Sequence, residues 1–268
     1  MTIPVSDALL MPGPIQQVRV DMTSRCNLRC VYCAVSHPDY RGSDMDDAIS
    51  GRTLKLILDL AKHHALEAID LNGHGETTYR EGWTDLCFAL IERGLRVRLT
   101  SNFAKAFDDT ELEALASMDE IAISIDSADP RLLRDVRRRV DLRQIVANIA
   151  FVRSMALKLH RQPPRFAFLC GLYDKNTLEW ENFARFTVAM GVTSVGLWSL
   201  TKHAGMDVPE YAQVRPLDDL ADGELRPRVV SIRRGLEFLR RHGVSVSIQG
   251  GFFEALERRV HGDARRHA

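Results

Sequence analysis

Three cysteines lie within eight consecutive residues of this 268-residue chain, at positions Cys26, Cys30 and Cys33. Their spacing is C-x3-C-x2-C, and thiolates this close together can ligate three irons of a four-iron, four-sulfur cluster. The fourth iron is then left without a protein ligand, and an open coordination position lets a metal centre act on a bound molecule. The spacing therefore predicts a [4Fe-4S] cluster that takes part in catalysis.

Two other kinds of metal site are compatible with clustered cysteines, but each needs a fourth ligand. A structural zinc ion takes four ligands, usually as two pairs, and the cluster of an electron carrier or redox sensor is held by four cysteines. The remaining cysteines, Cys87 and Cys170, are distant in the sequence. Cys87 shares a helical spacing with Trp83 and Leu90, which is typical of a core position. The three-thiolate cluster is therefore favoured.

The whole chain has the composition of a globular protein, with 45% hydrophobic residues and 36 basic side chains against 36 acidic ones. Nucleic-acid binding needs a surplus of Lys and Arg, so the balanced charge argues against a nucleic-acid partner. No run of about 18 apolar residues is present to span a bilayer, and residues 1–14 lack the basic start of a signal peptide. With an odd number of cysteines, these features predict a reduced, cytoplasmic protein without a membrane partner.

Strand-like and helix-like patterns alternate along the chain, which predicts an α/β fold with a parallel sheet. The predicted strands occupy residues 17–22, 68–72, 96–100, 120–126, 165–170 and 194–200. Helical patterns fall between them, at residues 54–61, 83–92, 111–117, from 130 onwards, and 180–188. Six units are too few for a closed eight-fold barrel, which leaves an open partial (β/α)6 barrel or a doubly wound sheet. Ligands bind at the carboxyl ends of the strands in both folds, where the cysteine segment follows the first strand.

A single domain is predicted for residues 1–268, with a leader at 1–14 and the barrel core at 15–200. Residues 201–228 contain three prolines and little periodicity, which predicts a long loop or lid. A short C-terminal α/β extension at 229–268 is expected to contain a helix, a strand at 244–248 and a second helix.

Residues 26–33, with the sequence CNLRCVYC, resemble the signature of the radical S-adenosylmethionine (SAM) enzymes, including the aromatic Tyr32 before the last cysteine. The resemblance implies a TIM-like partial (β/α)6 barrel and a cluster whose free iron chelates the amino and carboxylate groups of SAM. It also implies that reduced flavodoxin or ferredoxin supplies an electron that cleaves SAM to methionine and a 5′-deoxyadenosyl radical. This radical then abstracts hydrogen from the substrate.

The turn at residues 72–76, with the sequence NGHGE, resembles the Gly-Gly-Glu motif that contacts the SAM amino group in this family. Glycines let the backbone approach a ligand closely, and a carboxylate can accept from an ammonium group. The turn departs from the common form, because His74 precedes the second glycine and Thr77 replaces the usual proline. His74 either lines the pocket or fills the turn. The predicted cofactor-binding residues here are Tyr32, Gly73, His74, Gly75 and Glu76.

Polar residues at the ends of two later strands are predicted to lie near SAM. In similar enzymes such residues hold the SAM ribose, and Ser124 and Asp126 fit this role because they share the face opposite the isoleucines of their strand. Ser101 and Asn102 end the preceding strand, and turn chemistry is the alternative explanation for them. Residues 131–143 contain six arginines that are expected to form mostly a solvated helix face. Arg137 resembles the family arginine that reaches the SAM carboxylate.

Cys170 ends a predicted strand and has two candidate roles. A thiol facing the barrel interior can return a hydrogen atom to a substrate radical, as in radical epimerases. However, Cys170 has the strand parity of Phe166 and Phe168, which predicts packing against helices. A buried structural thiol is therefore the alternative role.

These observations together predict a radical SAM enzyme that acts on a small polar metabolite such as a sugar or nucleoside. The expected outcome is epimerisation, dehydration, dehydrogenation or rearrangement. No cysteine follows Cys170, which disfavours an auxiliary cluster, and no cobalamin-binding domain is expected before the barrel. One alternative is modification of a peptide or protein side chain, with residues 201–228 as the docking element. A different class of alternative is a non-enzymatic iron–sulfur electron carrier or sensor.

Overall fold

The structure is a computed structural model that describes residues 15–36, 40, 51–63, 66–200 and 214–262. In chain order its strands are β1 (Gln17–Val20), β2 (Arg29–Cys30), β3 (Ala68–Leu71), β4 (Arg96–Ser101), β5 (Glu120–Ser124), β6 (Arg137–Arg138), β7 (Arg165–Leu172), β8 (Ser194–Ser199) and β9 (Ser245–Ile248). Its helices are α1 (Gly51–His63), α2 (Trp83–Ile91), α3 (Asp109–Ala116), α4 (Pro130–Val136), α5 (Leu142–Lys158), α6 (Trp180–Ala189), α7 (Asp222–Arg241) and α8 (Phe252–Gly262).

Within the described residues, seven strands form one parallel sheet in the order β1-β3-β4-β5-β7-β8-β9. Consecutive sheet strands are neighbours, as expected when helices connect parallel strands in βαβ units. The edge strands β1 and β9 do not pair with each other, so the sheet remains open as a partial barrel. This confirms the predicted α/β partial-barrel fold.

The C-terminal part of the chain extends the sheet. The predicted strand there is β9, which pairs in parallel with β8, with Ser194 opposite Ser245 and Leu197 opposite Ile248. The barrel therefore has a seventh strand where the sequence predicted six and a separate extension. The alternating polar and apolar residues of β9 predicted a strand, but they did not indicate that it pairs with β8.

The two faces of the sheet have different surroundings, because successive side chains of a strand point to opposite faces. Ile121 and Ile123 of β5 are fully buried and belong to the same hydrophobic cluster as Leu115 of α3 and Ile149 of α5. Ser124, on the opposite face of β5, is half-buried and lies against the cavity described below. The helix layer thus covers the apolar face, and the polar face is available to a ligand.

The segment after β5 differs from the single helical stretch that the sequence predicted from residue 130. Asp129 caps α4, with its carboxylate accepting from the backbone N–H groups of Arg131 and Leu132. This helix ends at Val136, and β6 then pairs antiparallel with β2. A second helix, α5, begins after the cap residue Asp141 and was not predicted. The arginine-rich segment is interrupted because part of it pairs with the cysteine segment.

Two expected boundaries also move. The short helix α3 begins at Asp109, two residues before the predicted start, because Asp108 caps it and forms a capping box with Glu111. Helix α7 begins at Asp222, with Pro227 inside it, so the last seven residues of the expected loop at 201–228 are helical. Residues 1–14 and 201–213 lie outside the described residues, and the expected leader and lid remain predictions there. In the part of the chain that the structure describes, no helix has the length and apolar character needed to cross a membrane.

Candidate active site

A cavity of about 200 Å³ lies at the carboxyl ends of the strands and gathers most of the predicted site residues. Its lining includes Cys26, Cys30, Tyr32, Cys33, Gly73, His74, Gly75, Glu76, Ser101, Asn102, Ser124 and Arg137. Asp126 and Cys170 are absent from this lining. Four further residues line the cavity without having been predicted as ligand contacts: Leu28, Asn72, Thr100 and Trp198. The cavity therefore combines three thiols with a wall of mixed polar and apolar residues.

The cysteine loop, residues 23–33, places hydrogen-bond donors near its first sulfur. The backbone N–H of Leu28 donates to Cys26 Sγ at 3.4 Å. Asn102 Nδ2 approaches the same sulfur at 3.7 Å and donates to Asn27 Oδ1 at 2.8 Å. Such donors stabilise thiolate character and affect the properties of a bound cluster. Asn102 therefore contacts the cysteine loop directly. Turn chemistry, the alternative explanation for this residue, does not account for that contact.

The loop is fixed to the turn after β3 by backbone hydrogen bonds. The N–H of Gly75 donates to Thr23 O at 2.9 Å, and the N–H of Glu76 donates to Arg25 O at 2.8 Å. A Cβ atom at Gly75 would lie 2.3 Å from Thr23 O and 2.4 Å from Arg25 O. Glycine is required here because the cysteine loop itself comes so close, whatever contact SAM makes.

His74 is held at the cavity by Asp21, a residue that the sequence analysis did not select. Asp21 Oδ2 lies 2.8 Å from His74 Nδ1 and accepts from the His74 backbone N–H at 3.1 Å. A Cβ atom at Gly73 would lie 1.7 Å from Asp21 Oδ1, so this glycine makes room for the carboxylate. Asp21 directly follows β1, and its position at a strand end was the available sequence signal. The contact leaves His74 Nε2 as the ring nitrogen open to a ligand.

Glu76 is buried, and its carboxylate accepts four hydrogen bonds. Oε1 accepts from Thr78 N at 3.1 Å, Thr78 Oγ1 at 2.8 Å and Ser101 Oγ at 2.8 Å. Oε2 accepts from the backbone N–H of Asn102 at 2.7 Å. These bonds fix the carboxylate against the end of β4. Oε2 has a single protein donor, so it can accept a further hydrogen bond from a ligand more readily than Oε1.

Asp126 is buried behind the cavity wall, which differs from the predicted contact with a ribose. Its carboxylate accepts from Tyr32 Oη at 2.7 Å, Arg137 Nε at 2.7 Å and the Gly171 backbone N–H at 2.9 Å. Protein donors therefore occupy both of its oxygens. The expected strand reached Asp126, but β5 ends at Ser124, so the parity of the strand does not position Asp126.

Cys170 is also buried behind the wall. Its Sγ lies 3.6 Å from the carbonyl oxygen of Asp126, and burial raises the pKa of this thiol well above its usual value. Phe166 and Phe168 on the same side of β7 are buried too, which explains the burial of Cys170. The geometry favours the structural role over hydrogen donation.

We expect alkylation to distinguish the cavity thiols from the core thiols in the metal-free protein. Cys26 and Cys33 are partly exposed, whereas Cys87 and Cys170 are fully buried. Iodoacetamide in native buffer should label Cys26 and Cys33 and leave Cys87 and Cys170 unmodified, because a reagent cannot reach a thiol inside a close-packed core. Peptide mass spectrometry measures the labelling, and full labelling in urea is the control. Native labelling of Cys170 at the rate of Cys33 would contradict its placement.

The cysteine loop fits an iron–sulfur cluster by the chemistry of its donors. Burial raises the pKa of Cys26 to about 11 and that of Cys30 to about 12, and the Arg137 guanidinium opposes the rise at Cys30. Thiolates in such a place need cationic partners, which irons supply. Among the described side chains, no three His, Cys, Asp or Glu are arranged to hold a single metal ion. Cluster cysteines bind different irons and need not converge on one point.

Comparison with known proteins decides the family. The family model of the Radical SAM superfamily matches residues 20–187. The chain belongs to the radical SAM superfamily. This is a family of enzymes that use SAM and a [4Fe-4S] cluster, so the cluster expected from the cysteine spacing and the SAM expected from the resemblance are both confirmed.

Individual relatives of this radical SAM enzyme match only part of their own length. It is 30% identical over 172 residues to GTP 3′,8-cyclase from Pseudomonas entomophila, a match that covers 63% of this chain and 50% of that one. The chain spans about half the length of such curated relatives.

Two solved structures share its fold. SuiB from Streptococcus suis, bound to precursor peptide SuiA, aligns with a TM-score of 0.65 and 13% identity over 94% of this chain and 52% of that one. Methylornithine synthase (PylB) aligns with a TM-score of 0.59 and 13% identity over 88% of this chain and 72% of that one. At these identities the likeness concerns the partial barrel alone.

Proposed function

We propose that this radical SAM enzyme abstracts hydrogen from a small polar metabolite of the nucleoside or sugar class. The observation that carries the proposal is the convergence of three cysteines with the side chains of Glu76, Ser124 and Arg137 on one cavity at the strand ends. The match to GTP 3′,8-cyclases, whose name specifies a nucleotide, supports the nucleoside class. Epimerisation, dehydration, dehydrogenation and rearrangement are all compatible with abstraction at this site.

The residues of the cavity suggest how SAM is held. The cluster, when bound, supplies the electron that cleaves SAM to methionine and a 5′-deoxyadenosyl radical. Glu76 Oε2, fixed by the Asn102 backbone, would accept from the SAM amino group. Arg137 uses Nε and Nη2 for Asp126, which leaves Nη1 for the SAM carboxylate.

Ser124 and Ser101 lie in the same wall and are proposed ribose contacts. Tyr32 lines the cavity between two of the cysteines, where its ring would lie against SAM, and His74 Nε2 would face the ligand from the opposite turn. We further propose reduced flavodoxin or ferredoxin as the electron donor.

Anaerobic turnover tests the reductive cleavage. Protein reconstituted with iron and sulfide should form 5′-deoxyadenosine from SAM when dithionite is added, because the open iron recruits SAM. Cys33→Ala should abolish this product, whereas Cys87→Ala, which removes a core thiol outside the cavity, should retain it. Liquid chromatography measures 5′-deoxyadenosine. Equal amounts from the two variants, or none from cluster-loaded wild-type protein, would contradict the assignment of the cavity.

Deuterium transfer tests the substrate class. Deuterated nucleosides, nucleotides including GTP, and sugars are each incubated with the loaded enzyme and SAM, and 5′-deoxyadenosine is examined by mass spectrometry. We expect deuterium to appear with a member of the nucleoside or sugar class. Transfer from a deuterated peptide alone would instead support the side-chain modification that was the alternative.

A further inference from the structure

A buried ion pair lies directly behind the cysteine loop. Arg137 is 5% exposed and Asp126 is 1% exposed. Arg137 Nε and Nη2 donate to the two carboxylate oxygens at 2.7 and 3.3 Å, which is a bidentate arrangement. Charges at this depth interact strongly with their surroundings, because little water screens them.

The pair is attached to the cysteine loop from two sides. The ladder of β2 and β6 places Cys30 opposite Arg137, and residues opposite each other in such a ladder have Cβ atoms about 4.5–5.5 Å apart. From the other side, Tyr32 Oη donates to Asp126 at 2.7 Å, and the Arg137 guanidinium lies 5.6 Å from the Tyr32 ring. The ion pair is therefore held at a fixed distance from Cys30, one of the predicted cluster ligands.

The two charges of the pair should act on a cluster with opposite signs. The reduction potential of an iron–sulfur cluster depends on nearby charge, hydrogen bonds and solvent exposure. A positive charge next to Cys30 stabilises the reduced cluster, which carries one more negative charge, and a negative charge destabilises it.

We propose that the Arg137–Asp126 pair sets the reduction potential of the cluster, with Arg137 raising it, Asp126 lowering it, and Tyr32 holding the pair to the loop. Tyr32 is a positioning residue in this account, because it acts through Asp126 and the loop, whereas the two charges of the pair act on the cluster directly. The inference requires the cluster of the family but not the proposed substrate.

A cycle of charge-removing variants tests the proposal by potentiometry of reconstituted protein without substrate. Asp126→Asn should raise the midpoint potential and Arg137→Gln should lower it. The double variant should return close to the wild-type value, because both charges are removed together. Asp119→Asn is the matched control: Asp119 precedes β5 at its other end, pairs with Arg165 and is far from the cysteines, so the potential should not move. Shifts of the same sign in both single variants, or shifts no larger than the control, would overturn the proposal.

If a charge-removing variant does not assemble the cluster, two conservative variants still test the proposal. Arg137→Lys retains the positive charge and should keep the potential near that of the wild-type protein. Tyr32→Phe removes one donor from Asp126, leaves its charge less compensated, and should lower the potential modestly. An unchanged potential in Tyr32→Phe, together with a large shift in Arg137→Lys, would show that the charge of the pair does not act on the cluster. Because no substrate is added, failure of the substrate proposal would not alter this result.

Discussion

Replacement of Gly75 by alanine is expected to destabilise the protein and to prevent stable cluster assembly. The added Cβ would meet the carbonyl oxygens of Thr23 and Arg25 at 2.3 and 2.4 Å, and these are backbone atoms that cannot rotate away. Overpacking and the loss of the neighbouring hydrogen bonds together cost about 2–4 kcal/mol of the free energy of unfolding. Denaturant unfolding of the metal-free protein measures the stability, and iron and sulfide analysis after reconstitution measures the cluster.

Gly223→Ala is the matched control for this substitution. Gly223 lies in the first turn of α7, and nothing lies within 4 Å of a Cβ placed there. Alanine should leave the stability unchanged or slightly higher, because it favours the helix. Full iron content in Gly75→Ala would show that the cysteine loop does not depend on this close approach.

The second large effect is expected for Glu76→Gln. An amide carries only one acceptor oxygen, so either orientation places its NH2 group against a donor: Asn102 N on one side, or Thr78 and Ser101 on the other. A buried donor without an acceptor costs about 1–3 kcal/mol, and more when a charged acceptor is lost. We expect a decrease of this size in the free energy of unfolding. SAM affinity of the loaded protein, measured by equilibrium dialysis, should fall at least tenfold.

Glu67→Gln serves as the control, because the side chain of Glu67 is 57% exposed and pairs with Arg96 on the surface. Such exposed pairs contribute little, so its stability should change by less than about 1 kcal/mol. A Glu76→Gln variant that is destabilised but binds SAM normally would restrict Glu76 to a structural role.

Much of the fold and part of the site could be predicted from the sequence, because the relevant signals are local. The C-x3-C-x2-C spacing and the alternation in β5 depend on neighbouring residues, and the structure reproduces the strands and the clustered thiols. The glycine turn at 72–76 was also identified, although Gly75 accommodates the cysteine loop instead of only a ligand.

The remaining features could not be predicted because they depend on contacts between distant parts of the chain. Asp126 has the parity of a ligand-facing residue, yet Tyr32 and Arg137 occupy its carboxylate. The end of α4 is set by the pairing of β6 with β2, for which the arginine-rich segment carries no local signal. The partner of His74 is Asp21, 53 residues earlier, and no spacing rule connects the two.

The Asp126 contacts also bear on when the iron ligands reach their final arrangement during protein synthesis. Tyr32 and Asp126 are 94 residues apart, and Gly171, the last of the three donors to this carboxylate along the chain, follows 45 residues after Asp126. At ribosomal rates of about 5–20 residues per second, the last donor emerges roughly ten to thirty seconds after the cysteines. A nascent chain therefore exposes its three thiols well before the residues that fix the cysteine loop have been synthesised. We expect the cluster to be inserted after translation.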